Sequence, residues 1–168
     1  MMTKSTYDKI EAYFKQHKGM LKLLKFTYKY VPLVVFIAYP LMVIILLFTK
    51  GITSVEFLKV FFVPFGTFVV VTIARKLFNF QRPYEKYDIH PLIQKNKQGQ
   101  SFPSRHSVSI FIIAMAYTYI NVYVGIVFIL LGIVIGVTRV LAGVHFIRDV
   151  FAGAVISILI GTIFLFLI

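Results

Sequence analysis

The chain has 168 residues, of which 59% are hydrophobic and only 14% charged, with a net charge of +12 and no cysteine. A charged share this far below the roughly 25% of soluble domains, together with long uncharged runs, excludes an ordinary water-soluble fold. The missing cysteines exclude a disulfide framework, thiol catalysis and thiolate-bound metals, and no soluble domain is left to bind nucleic acid.

Residues 1–29 carry Lys4, Lys9, Lys15, Lys18, Lys22, Lys25 and Lys29 among Ile10, Tyr13, Phe14, Met20, Leu21, Leu24 and Tyr28. The apolar positions recur at roughly helical spacing. The segment reads as an amphipathic helix on the membrane surface or as a plain basic tail, and charge interrupts it in a way unlike a cleaved signal peptide. Its lysines favour a cytoplasmic start and contact with anionic lipid headgroups.

Residues 30–168 read as a membrane domain. A first span covers about 30–48, with Pro32 and Pro40 inside it; freed carbonyls in such helices find other partners. A turn at 50–54 leads to a second span over about 56–78, containing Pro64. Residues 81–102 form a polar loop. The uncharged run from Ser107 to Thr138 would be about 48 Å long as one helix, against a hydrocarbon core of about 30 Å. Two helices fit better, over 104–119 and 122–141, with a turn near Tyr119, Asn121 and Tyr123. Gly132 and Gly136 form a weak small-residue packing pair. A last span covers about 148–168. The expected fold is all-α: a polytopic bundle of about five membrane helices plus the N-terminal amphipathic helix.

This threading returns three polar clusters to one membrane face. Arg75 lies at the end of the second span and Arg82 just after it, His106 opens the third, Arg139 lies at the end of the fourth, and His145 and Asp149 follow immediately. Arginine presents a planar fork of donors that matches phosphate oxygens. Imidazoles act near neutral pH. Asp149 stands four residues after His145, so a helix would place both on one face. There a carboxylate can hold one ring nitrogen protonated and leave the other as a nucleophile. Any one of these residues alone reads more simply as an interfacial or topological residue, and the weight rests on their conjunction. A metal held by His106 and His145 is a weaker reading, because arginines crowd the site. His17 and His90 lie in polar segments without such company and read as surface residues.

Arg75-x6-Arg82-Pro83, then Pro103-Ser104-Arg105-His106, then Thr138-Arg139-x5-His145-x3-Asp149 together resemble the three-part signature of the type 2 phosphatidic acid phosphatase family. The resemblance covers about residues 74–154. It implies a lipid phosphate phosphatase that works without metal or other cofactor, its partners being a lipid phosphate and the surrounding membrane lipids. Phosphatidic acid, phosphatidylglycerol phosphate and undecaprenyl diphosphate are the substrates to expect. In the implied mechanism His145 takes the phosphoryl group, Asp149 orients His145, and His106 is the acid and base. Arg75, Arg82 and Arg139 bind phosphate oxygens, helped by Ser104 and the backbone amide of Arg105. Three positions depart from the usual pattern: Arg75 replaces Lys, Arg105 replaces Gly and Thr138 replaces Ser. None removes a catalytic group, and all bear on substrate preference. Family members commonly have six spans and an outward site. Five spans and a lysine-rich start instead favour an integral plasma-membrane protein whose site faces the cytoplasm. A non-catalytic binder of anionic headgroups is the main competing reading, since it would keep the arginines without needing His145 and Asp149. A transporter fits less well, because the charges gather at one face.

Overall fold

The computed structural model describes residues 3–95 and 97–168. Among these residues seven helices follow in order: α1 (Lys4–Gln16), α2 (Lys18–Lys50), α3 (Val55–Phe78), α4 (Pro83–Tyr87), α5 (Arg105–Ile120), α6 (Val122–Leu141) and α7 (Ile147–Gly161), which runs on into a π-helical turn, Thr162–Leu167. Helix starts are set by short polar side chains that take orphan N–H groups. The Ser54 hydroxyl accepts from the Phe57 amide at 3.2 Å. Asn121 accepts from Tyr123 and Val124 at 3.0 and 3.2 Å, which divides the long apolar run into the expected hairpin of α5 and α6.

Among the described residues four helical segments are long and apolar enough to cross a membrane: α2, the segment that begins with α3, α6, and α7 with its π turn. The fifth expected span, α5, has 16 residues and is about 24 Å long. It is apolar around its whole circumference, as a helix enclosed by others must be. Val108, Ile110, Ile112, Ala114 and Ala116 are all at most 1% exposed, and α3, α6 and α7 pack around it. The outer helices turn large apolar side chains outward, Phe36, Phe48 and Phe151 among them, as lipid-facing surfaces do.

The N-terminal region differs from the sequence expectation. The helical chain breaks at His17, and α2 then runs unbroken through residue 29 into the first span. With 33 residues it is about 50 Å long, so its lysine-rich first third projects past the apolar layer. Helix α1 buries Tyr7 and Phe14 against protein. Tyr7 packs on Tyr87, with ring centroids 6.3 Å apart, and Tyr87 packs edge-on against Phe146 at 6.0 Å. The apolar face legible in the sequence thus meets the loops at one end of the bundle.

The in-helix prolines have structural consequences. Pro64 leaves the carbonyl of Val60 without its helical donor, and the Tyr39 hydroxyl donates to that oxygen at 3.0 Å. Pro32 likewise frees the carbonyl of Tyr28.

Candidate active site

The three sequence clusters meet at the end of the bundle where α3 and α6 finish and α5 and α7 begin. Each arginine is held by backbone carbonyls. Arg75, 4% exposed, donates to the carbonyls of Pro103 and Gln100. Arg82 donates to Gly99 at 2.9 Å and to Val144 at 3.3 Å, tying the long polar loop to the segment before α7. Arg139 donates to the Tyr28 carbonyl at 3.3 Å, the oxygen that Pro32 released, and its guanidinium lies 3.6 Å from the Tyr28 ring centroid. The Nε of Arg139 is buried without a partner among the described residues, an orphan donor that wants an acceptor.

His145 and Asp149 come together, though not by sharing a helix face. His145 lies in the turn before α7. Asp149 is in the first turn of α7 and reaches back, its Oδ2 accepting from the Phe146 amide at 3.1 Å. That same oxygen accepts from the Ser101 hydroxyl at 2.5 Å and lies 3.6 Å from His145 Nδ1, beyond hydrogen-bond length. Such contacts often tighten only when substrate binds. Asp149 and Ser101 are fully buried, and His145 is 3% exposed. Burial pushes the His145 imidazole down to about 4; Asp149 opposes this, while Arg82 and Arg75 add to it.

Ser104 stands back from the arginines. Its hydroxyl accepts from the Ser107 amide at 3.5 Å as the cap of α5, and its own amide donates to the Asp149 carbonyl at 2.8 Å. Arg105 and His106, in the first turn of α5, are exposed. The Arg105 guanidinium lies 5.7 Å from the Phe68 ring centroid.

These residues enclose a cavity of about 120 Å³, lined by Arg75, Arg82, Arg105, Arg139, His106 and His145 together with Tyr28, Lys95, Lys97 and Val144. Among the described residues no carboxylate lines it. Burial, followed by the charges of Arg105, Arg75 and Arg82, pushes the Lys97 ammonium down. Among the described residues no three His, Asp or Glu side chains converge as metal ligands would. The cavity can therefore take a small polyanion between permanent cations, with two imidazoles in its wall. Two larger spaces adjoin it through His106. One is an apolar groove of about 480 Å³ between α2, α3, α5 and α6; the other is a basic vestibule of about 770 Å³ rimmed by α1, α2 and residues 91–95. His17 and His90 are exposed and lie outside the cavity.

Sequence reasoning passed over Ser101, Glu85 and Tyr28. Glu85 accepts from the Arg82 amide at 2.8 Å and from the Gly99 amide at 2.9 Å. Gly99 sits at φ +62, and a side chain there would collide with Asn79. An acidic residue three positions after the cap of a short helix was a readable capping signal, and Tyr28 four residues before Pro32 was a second. Nothing in the sequence distinguished Ser101 from other polar loop residues.

The PAP2 superfamily profile matches residues 55–168. The undecaprenyl-diphosphatase BcrC of Bacillus subtilis (strain 168) is 31% identical over 83 residues, which is 49% of this chain and 42% of that protein. The bacitracin transport permease protein BcrC of Bacillus licheniformis is 29% identical over 96 residues, 55% of this chain and 47% of that protein. The matched stretches thus span less than half the length of these relatives. The crystal structure of Aquifex aeolicus LpxE superposes with a TM-score of 0.70 at 27% identity, covering 85% of this chain and 86% of that one. The sequence profile, the shared architecture and the gathered signature residues agree, and the chain belongs to the PAP2 superfamily.

Proposed function

We propose that this integral membrane protein is a lipid phosphate phosphatase acting through a phosphohistidine at His145. The observation that carries the reading is the buried relay from Ser101 through Asp149 to His145, at the wall of a cavity lined by arginines and, among the described residues, by no carboxylate. A headgroup binder needs the cations alone; it has no use for a buried acid aimed at an imidazole. Lipid diphosphates of the undecaprenyl type are the first substrates to try, with phosphatidic acid and phosphatidylglycerol phosphate beside them.

In the first step the Nε2 lone pair of His145 attacks phosphorus while Asp149 keeps the proton on Nδ1. The phosphorus–oxygen bond to the leaving group breaks, and His106 gives that oxygen its proton. In the second step His106 takes a proton from water, the resulting hydroxide attacks phosphorus, and the phosphorus–nitrogen bond breaks to release phosphate. Arg75, Arg82 and Arg139 neutralise the phosphoryl oxygens throughout, which is most of what phosphoryl transfer asks of a protein. The backbone amide of Arg105 adds a donor, and Ser104 fixes the start of α5 against Asp149. Because side chains supply the positive charge, the scheme gives no step to a metal. Binding of an anion beside His106 favours the protonated ring that the first step requires.

The N-terminal lysines, the loop after α3 and the cavity share one end of the bundle, and among the described basic residues only Lys50 and Lys59 lie at the other. The positive-inside rule then favours a cytoplasm-facing site. The chain lacks cysteine, so Lys86→Cys gives a single reporter; blocking by an impermeant maleimide in intact cells would place the site outside.

The activity test is phosphate release in detergent with chelator present, from lipid mono- and diphosphates, by wild type and His145→Ala. Release by wild type alone supports the scheme. Equal release by both removes His145 as the nucleophile, and lipid binding without release by either favours the headgroup binder.

A further inference from the structure

Two cations at or beside the cavity are not among the three arginines assigned to the reacting phosphate. Arg105 lines both the small cavity and the apolar groove, and Lys29 lines both the groove and the basic vestibule. His106 borders all three spaces. Neither Arg105 nor Lys29 has an ion-pair partner among the described residues, and each rests only over an aromatic ring, Arg105 over Phe68 and Lys29 over Tyr30. The rest of the groove is apolar apart from Ser109, with Pro32, Leu33, Phe36, Phe68, Ile110 and Ile113 in its walls. Cations beside a membrane-embedded apolar surface are costly and mark function by default. Arg105 also stands where the family resemblance expects glycine, and Lys29 lies outside the matched residues 55–168.

We propose that Arg105 and Lys29 form a second-anion subsite, which takes the tail-proximal phosphate of a single-chain lipid diphosphate whose apolar chain lies in the groove. The inference rests on the phosphatase reading and names its substrate class. The reacting terminal phosphate takes the cavity of about 120 Å³ beside Arg75, Arg82, Arg139 and His145. The next phosphate along the molecule must lie towards the tail, where the cavity opens past His106 between these two cations. The subsite acts on chemistry as well as binding. When His145 attacks the terminal phosphorus, the bridging phosphorus–oxygen bond breaks and its electron pair goes to the departing lipid monophosphate. Arg105 and Lys29 stabilise that developing charge, while His106 supplies a proton to the bridging oxygen. A lipid monophosphate has no group to place there, and its leaving group is an alcohol.

The test compares an isoprenyl diphosphate with the isoprenyl monophosphate of equal chain length, using the full chain in detergent and the variants Arg105→Gly, Lys29→Gln and both together. The ratio of kcat/KM for diphosphate over monophosphate is expected to fall by about tenfold or more in the double variant, the effect of losing charge-assisted contacts. A ratio within about twofold of wild type overturns the subsite. A parallel binding measurement on His145→Ala uses a methylene-bridged isoprenyl diphosphonate, the matching isoprenyl monophosphonate, and methylenediphosphonic acid without a tail. Preference for the tailed diphosphonate, lost when Arg105 and Lys29 are replaced, supports the proposal even if wild type releases no phosphate; the latter result would count against the catalytic reading alone. Equal binding of the tailless compound would make the occupant a free diphosphate and overturn the lipid assignment. Equal binding of the monophosphonate would overturn the second anion.

Discussion

Replacing Asp149 by Asn separates the charge of the buried relay from its geometry. Asp149 Oδ2 faces three donors: the Ser101 hydroxyl at 2.5 Å, the Phe146 amide at 3.1 Å and His145 Nδ1 at 3.6 Å. The oxygen of an Asn side chain is the only one of its two polar atoms that suits that position, so its amide nitrogen takes the place of Oδ1 and gives up that oxygen's 3.5 Å ion pair with the half-exposed Arg148 Nε. The imidazole therefore keeps its tautomer, unlike in catalytic triads where the same substitution inverts it at a loss of about 10⁴ in kcat. What disappears is the negative charge facing the cationic phosphohistidine. At 3.6 Å and an effective dielectric of about 20, that attraction is worth about 4–5 kcal/mol. The amide dipole retains part of it. The expected loss in kcat is then about 10²–10³-fold, with the fold intact. The assay is phosphate release from the best lipid substrate, alongside thermal unfolding in the same detergent. A loss of less than about tenfold would show that the charge is not used. A loss as complete as that of His145→Ala would show that the tautomer is not held by Ser101 and Phe146.

Three other perturbations probe different links. Pro32→Ala returns an N–H that competes with Arg139 for the Tyr28 carbonyl; stability is expected to hold or rise while kcat/KM falls about tenfold, and parallel changes in both would refute the carbonyl-release account. Because burial lowers His145 to about 4 from a free value of about 6.5, between those pH values the unfolded chain takes up a proton that the folded chain refuses. Stability therefore falls as pH drops from about 6.5 towards 4 and is unaffected by this group above that window; the drop in Tm between about pH 7 and pH 5 should be smaller in His145→Ala, and an equal drop would exonerate the histidine. Gly153→Ala would bring a methyl 2.9 Å from Ser107 Cβ and 3.0 Å from the Ser104 carbonyl, forcing α5 from α7 at a cost of about 1–3 kcal/mol. Activity should fall with stability, since Ser104 leans on Asp149; unchanged Tm would mean that the helices have room to part.

The parts legible in the sequence were those set by local rules. Uncharged length located the spans, and Asn121 marked the α5–α6 turn because a capping side chain acts on its own next residues. The arginines, His106, His145 and Asp149 were legible because helix ends bring them to one face whatever the loops between them do. Ser101, Glu85 and Tyr28 act across the fold, and that is why they escaped. Ser101 reaches Asp149 only because the loop after α4 doubles back, and it doubles back because Glu85 binds the amides of Arg82 and Gly99. Helix α1 is an intermediate case. Its apolar face was visible, but an amphipathic pattern does not say whether lipid or protein will cover it, and Tyr87 and Phe146 extend an aromatic path from it to the His145 turn.

The hydrogen bonding at the site also explains how so much positive charge stays available to a substrate. Arginines in a protein interior usually find carboxylates, and such a pair offers little field to a third party. Here Arg75, Arg82 and Arg139 are held by carbonyls of residues 28, 99, 100, 103 and 144, which fix their geometry without neutralising them. The two acids close enough to compete are engaged elsewhere. Glu85 holds backbone amides, and Asp149 is occupied by Ser101, the Phe146 amide and, at 3.5 Å, Arg148 Nε. A site organised in this way meets phosphate with donors already oriented and charge not already spent, which is the condition under which electrostatic preorganisation accelerates a reaction. It also makes the apo site self-repulsive: removing one guanidinium should weaken anion binding yet relieve repulsion among those that remain. Arg82→Gln is therefore expected to lose lipid phosphate affinity by more than it loses Tm, and a variant that lost stability without affinity would show that the carbonyl contacts, and not the charge, are what Arg82 is kept for.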